Sequence, residues 1–142
     1  MGSKRKVGKT LNIFKTRLTR GLCTESMINI TDNSGAKIAQ IISVIGLVTR
    51  LNRYPYATVG DLVVVSIKKG TPELRKKVMR AVIVRQRQII RRVDGTRLAF
   101  EDNAAVLVTE EGDPKGSMVK GPIAREAAEL YPRISNISSQ IV

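Results

Sequence analysis

The chain has 142 residues, with 25 Lys and Arg against 12 Asp and Glu, a formal net charge of +13. That length suits one modest domain, and the sign of the charge points to a polyanion, nucleic acid above all. There is no His, which removes the commonest general base and metal ligand, and the single cysteine, Cys23, excludes an intrachain disulfide.

Residues 1–20 carry seven basic residues (Lys4, Arg5, Lys6, Lys9, Lys15, Arg17 and Arg20) and no acid. We expect residues 1–21 to be a basic N-terminal arm and 22–142 to be the folded domain. Leu11, Phe14, Leu18 and Leu22 fall at helical spacing, so part of the arm is compatible with an amphipathic turn. An Arg-rich, acid-free start also fits an organelle transit peptide. Cys23, at the junction, reads as a small buried apolar residue.

From Met27 to Val108 the texture is strand-like. Aromatic residues are only 4%, so Val, Ile, Leu and Ala must fill the core. Predicted strands are Met27–Ile30, Ile38–Ile45, Leu62–Ile67, Val78–Ile90, Leu98–Phe100 and Ala105–Val108. Turn signals separate them: Asp32-Asn33-Ser34-Gly35, Asn52 to Gly60, Lys69-Gly70-Thr71-Pro72 and Asp94-Gly95. Five or six short strands in so small a chain predict a mainly β fold with a small closed or nearly closed β-barrel. Closure also hides strand edges, a hazard for a Val- and Ile-rich chain. Val63, Val65, Val82 and Val84 are candidate barrel-core residues. Gly112 to Gly116 reads as a loop. A helix is predicted over Ile123–Tyr131, opened by Pro122 and ended by Pro132. No apolar run approaches the ~20 residues that span a bilayer as a helix, and no membrane partner is expected.

Charge is unevenly spread. Residues 21–67 are balanced, residues 68–97 carry a net +9, and residues 98–142 a net −3. If Val78–Ile90 is one strand continuing into Arg91, Arg85, Arg87 and Arg91 share a face. A two-residue Asp94-Gly95 turn would set Arg92 opposite Arg97, a like-charge pair that a bound phosphate would relieve. Lys68, Lys69, Arg75, Lys76 and Lys77 form a second cluster on a Gly- and Pro-held loop. Scarce aromatics disfavour a reader of stacked single-stranded bases and favour folded RNA recognised through phosphates, 2′-hydroxyls and shape. Glu101-Asp102 and Glu110-Glu111 are adjacent, so on strands their side chains diverge. Asp32-Asn33-Ser34-Gly35 fits an Asx-type turn better than a carboxylate site. There is no phosphate-loop motif and no metal-spaced Cys cluster. An enzyme, a metal site and a cofactor are therefore not expected.

Further motifs give a resemblance. Ala81, Val82-Ile83-Val84, Asp94-Gly95, Phe100, Asn103 and Val106-Leu107 form a long gapped pattern. Asp32 to Lys37, Val59-Gly60-Asp61 and Gly121-Pro122-Ile123-Ala124-Arg125-Glu126 accompany it. From about Gly21 to Val142 the chain resembles the family of the universal large-subunit ribosomal protein fourteen, called twenty-three in older eukaryotic naming. Lys68 to Arg75 and Phe100 to Ala105 look like its archaeal and eukaryotic branch. The resemblance implies a five-stranded β-barrel with a C-terminal loop and short helices. It also implies a structural role in the cytoplasmic large ribosomal subunit, with the protein bound to large-subunit rRNA.

Candidate rRNA-binding residues are Lys4, Arg5, Lys6, Lys9, Arg17, Arg20, Lys37, Arg50, Arg53, Lys68, Lys69, Lys76, Lys77, Arg85, Arg87, Arg91, Arg92 and Arg97. The resemblance implies intersubunit bridges to small-subunit rRNA at Pro72 and Arg75 and at Gly116, Ser117 and Met118. It implies ribosomal proteins numbered three and twenty-four as neighbours, and an anti-association factor docking on the C-terminal region. The mildly acidic end suits such protein contacts better than RNA. The alternative is a free RNA-binding translation or ribosome-assembly factor.

Overall fold

A computed structural model describes residues 18–47 and 49–142. In chain order the elements are β1 (Leu22–Cys23), β2 (Met27–Ile30), β3 (Ala36–Val44), β4 (Tyr56–Ala57), β5 (Leu62–Gly70), β6 (Val78–Arg85), β7 (Ile90–Arg91), β8 (Arg97–Leu98), β9 (Ala104–Val108), β10 (Val119–Ile123), α1 (Arg125–Leu130), α2 (Pro132–Ile137) and β11 (Ser138–Ile141). Five strands close a barrel in the order β2-β3-β5-β6-β9. Neighbours in it are antiparallel, and β2 seals it by pairing parallel to β9. The expected five-stranded barrel is present, with two short helices after it.

Strand register shows which side chains fill the interior. Ile28 lies opposite Ala39, Ala39 opposite Ile67 and Ile41 opposite Val65. Val63 lies opposite Ala81, Ala81 opposite Leu107 and Ile83 opposite Ala105. All of these side chains are buried. Large aliphatics alternate with alanines around the ring, which is how a narrow barrel is filled without voids.

Val82 corrects a sequence expectation. It is as buried as Val63 and Val65, but it pairs with Leu62 and Val106 and so lies on the barrel's outer face. There α1 and β10 pack against β6, and the Ala124 amide donates to the Val84 carbonyl at 3.0 Å. Strand β6 is therefore buried on both faces from Ala81 to Arg85. That explains its unbroken aliphatic run, which alternation alone would not produce.

The C-terminal region departs from expectation at its start. Pro122 and Ile123 belong to β10, which pairs parallel with β11, and the helix begins only at Arg125. Pro132 does end that helix, and it opens α2 as its first residue, where a missing N–H costs nothing. Strands β1 and β4 pair with each other outside the barrel. Cys23 is exposed rather than buried, because Leu22 takes the inward position and its neighbour must face out. Among the described residues no helix is long and apolar enough to cross a membrane, and no cluster of His, Cys, Asp and Glu could hold a metal.

Candidate nucleic-acid interface

Strand β6 does not run on to Ile90. It stops at Arg85, and the next residue is a fully buried glutamine. Gln86 Nε2 donates to the carbonyls of Thr19 and Gln88 at 3.1 and 3.2 Å, and Oε1 accepts from the Val59 amide at 3.2 Å. A Cβ on Gly21 would lie 2.9 Å from Gln86 Cδ. The glutamine thus ties the chain entry to the barrel, and nothing in the sequence pattern marked it.

The break redistributes the arginines. Arg85 is buried: Nη2 donates to Asp102 Oδ2 at 3.1 Å, and Nε lies 3.0 Å from Oδ1 in an ion pair without hydrogen-bond alignment. Nη1 donates to the carbonyls of Lys120 and Pro122 at 3.1 and 3.2 Å. Arg85 is therefore not on one open face with Arg87 and Arg91. It pins the 119–123 strand to the barrel, and its donors are used inside the fold.

The hairpin β7–β8 also differs in register. Arg91 pairs with Arg97 and Ile90 with Leu98. The Gly95 amide donates to Arg92 O, Gly95 has φ +89°, and the Arg92 amide donates to Thr96 O at 2.8 Å. This is a three-residue loop with a left-handed glycine bulge, one residue longer than the expected two-residue turn. The extra residue moves Arg91, instead of Arg92, opposite Arg97. Arg92 turns to the other face. Its Nε donates to Glu126 Oε1 at 2.9 Å and its Nη2 to Val142 O at 2.7 Å. The hydrogen bond to Glu126, ahead of any other influence, raises the Arg92 pKa. Arg92 is a brace to the C-terminal helix.

The remaining candidates face outward. Arg91 and Arg97 are exposed on the hairpin, Arg87 on the bend that leads into it, and Arg50 and Arg53 on the loop before β4. Arg20 is exposed and stacks its guanidinium 4.1 Å from the centre of the Tyr56 ring. Lys37, Lys68, Lys69 and Arg75 line one cleft of about 360 Å³. Lys76 and Lys77 are exposed beside it. No acidic side chain among the described residues pairs with any of these cations. Four unneutralised cations around one cleft make a local potential that attracts phosphate. Lys4, Arg5, Lys6, Lys9 and Arg17, and the proposed turn around Leu11 and Phe14, lie outside the described residues.

The two candidate tips are both at the surface. In the first, buried Leu74 anchors the loop while Pro72, Glu73 and Arg75 are exposed. In the second, Ser117 and Met118 are exposed and Gly116 is half-buried. Asp32 forms the expected Asx turn, with Oδ1 accepting from the Ser34 amide at 3.2 Å and Oδ2 accepting from the Leu107 amide at 3.0 Å. The acidic end is partly consumed internally: Asp102 holds Arg85, Glu126 holds Arg92, and Asp113 pairs with Arg133. Glu101, Glu110, Glu111 and Glu129 remain exposed.

The family described as Ribosomal protein L14p/L23e matches residues 21–142. A relative from Picrophilus torridus named large ribosomal subunit protein uL14 is 57% identical over 126 residues, covering 89% of this chain and 96% of its own. Relatives of the same name include one from Thermofilum pendens, 50% identical over 135 residues, covering 94% and 96%. Another, from Caldivirga maquilingensis, is 46% identical over 143 residues and covers 99% of both chains, so that similarity extends beyond residues 21–142 into the basic N-terminal stretch of sequence.

Proposed function

The chain belongs to the Ribosomal protein L14p/L23e family, and from that premise we propose that it is a structural, non-catalytic protein of the large ribosomal subunit that binds large-subunit rRNA and helps join the two subunits. The observation that carries the reading is the sorting of its cations. Arg85 and Arg92 are spent on internal carboxylates, whereas Arg87, Arg91, Arg97 and the cleft of Lys37, Lys68, Lys69 and Arg75 have no acidic partner among the described residues. A protein that needed those charges for its own fold would pair them. Left open, they fit a phosphate backbone read by charge and shape.

The hairpin and the 50–53 loop carry large-subunit rRNA binding, joined by the basic arm. Pro72 and Arg75, with Gly116, Ser117 and Met118, meet small-subunit rRNA. The exposed acids of the C-terminal region suit protein neighbours, for which the ribosomal proteins numbered three and twenty-four and an anti-association factor are the candidates. The site of action is the cytoplasmic ribosome.

Two experiments test this. Cosedimentation with large subunits through a high-salt wash separates a resident protein from a mobile factor, which would wash off. Arg75→Glu combined with Ser117→Glu places negative charge against small-subunit phosphates. Sucrose gradients should then show weaker subunit joining, most visibly at low magnesium, with the variant still present in large subunits. Unchanged joining at every magnesium level overturns the bridge assignment.

A further inference from the structure

The two tips lie far apart in sequence, yet both rest on one four-residue turn. Asn33 Oδ1 accepts from the Ser117 amide at 2.8 Å and the Met118 amide at 3.4 Å, and Nδ2 donates to Ser117 Oγ at 2.7 Å. Two residues on, the Gly35 carbonyl accepts from the Thr71 amide at 3.1 Å. A Cβ on Gly35 would lie 2.8 Å from Thr71 Cγ2, and one on Gly70 would lie 2.8 Å from the Gly35 oxygen. The turn is itself held to the barrel through Asp32 and the Leu107 amide. Asn33 and Gly35 are at most about 7 Å apart along the chain, so the tips are seated side by side.

Gly116 shows the same closeness from the other side. A Cβ there would lie 2.7 Å from Asn33 Oδ1 and 3.0 Å from Asp32 Cβ. Its smallness serves packing against the turn.

We propose that the Asp32–Gly35 turn joins the two tips into one contact surface of fixed geometry, and that Asn33 is a positioning residue for the 116–118 tip. The inference rests on the bridge assignment above. Asn33 is exposed, but its amide is committed to the tip. The two halves of this surface differ in kind. The 71–75 half borders four cations, whose attraction falls slowly with distance and tolerates small displacements. The residues 116–118 carry no charge. That half binds by fit, and its position must therefore be held.

The test uses assembled large subunits carrying four single variants. Asn33→Leu keeps the bulk and removes every polar contact. Gly116→Ala breaks the same contact from the opposite side. Asn33→Asp keeps the acceptors, since the Ser117 hydroxyl can turn to donate. Ser117→Glu alters the tip directly. Amide hydrogen exchange at Ser117 reports the clamp, and small-subunit joining across a magnesium series reports function.

Asn33→Leu and Gly116→Ala should each speed Ser117 exchange and weaken joining by about tenfold, the scale of one lost hydrogen bond. Asn33→Asp should keep Ser117 protected. Ser117 exchanging at the wild-type rate in both Asn33→Leu and Gly116→Ala would overturn the clamp. Faster exchange with normal joining, while Ser117→Glu still impairs joining, would overturn the positioning role and leave the bridge standing. If Ser117→Glu also joins normally, the bridge assignment at this tip falls and Asn33 is reduced to a local structural contact.

Discussion

Replacing Asp102 by Ala separates the buried arginine from the exposed ones. Arg85 would keep only the carbonyls of Lys120 and Pro122, and its side chain is 10% exposed. Breaking a fully buried ion pair costs about 3–5 kcal/mol. Asp102 is 33% exposed, so water already screens the pair and the figure must be reduced. We expect a loss of about 2–3 kcal/mol, a fall in melting temperature of roughly 6–12 °C for a chain of this size. Arg85→Met in the Asp102→Ala background should recover part of the loss, because no unpaired cation then remains. Thermal melts of the isolated protein measure both effects. Arg85→Met alone should leave the slope of log affinity for large-subunit rRNA against log salt unchanged, whereas Arg91→Gln should lower it by about 0.7–0.9. If Asp102→Ala melts within two degrees of the parent, or if Arg85→Met flattens the slope as Arg91→Gln does, the assignment of Arg85 to the interior is wrong.

Replacing Arg87, Arg91 and Arg97 together by Gln should flatten the same salt plot by about two units, less if not all three meet phosphates; an unchanged slope removes these three arginines from the RNA interface. Val82→Asp should destabilise by several kcal/mol, on the order of what Val63→Asp costs, because each buries an unpaired carboxylate. Only the Val82 change should also speed proteolysis in 119–142, and wild-type protection there would contradict the outer-face packing. A hydrogen bond from the Thr96 amide, ahead of other influences, holds the Asp94 carboxyl below its ordinary value of 3.8. A depressed folded value means that the contribution is complete above pH ~4 and lost as pH falls through the lower folded value. Carboxyl NMR should therefore show Asp94 titrating below 3.8 with Thr96 protection falling alongside; a midpoint at or above 3.8 would refute the contact.

Much of the architecture was legible because it depends on local rules. The strands β2, β3, β5 and β9 lie within a few residues of their predicted bounds, since short Val- and Ile-rich runs between turn residues have few other ways to hide their edges. Asp32 makes the Asx turn its sequence suggests, and Pro132 ends a helix as proline must. The basic, acid-poor stretches also follow from composition, and with them the expectation of a polyanion partner. What tertiary structure alone decided is which charges remain free. Arg85, Arg87, Arg91 and Arg92 look alike in sequence. They separate only because Gln86 ends the strand and Gly95 takes a left-handed bulge, a one-residue shift that no local propensity specifies. The same holds for Val82, Cys23 and Gly116. Burial, exposure and the need for a missing Cβ are set by residues distant in sequence, α1, β4 and Asn33 among them. Packing partners of that kind exist only once the chain has folded back on itself.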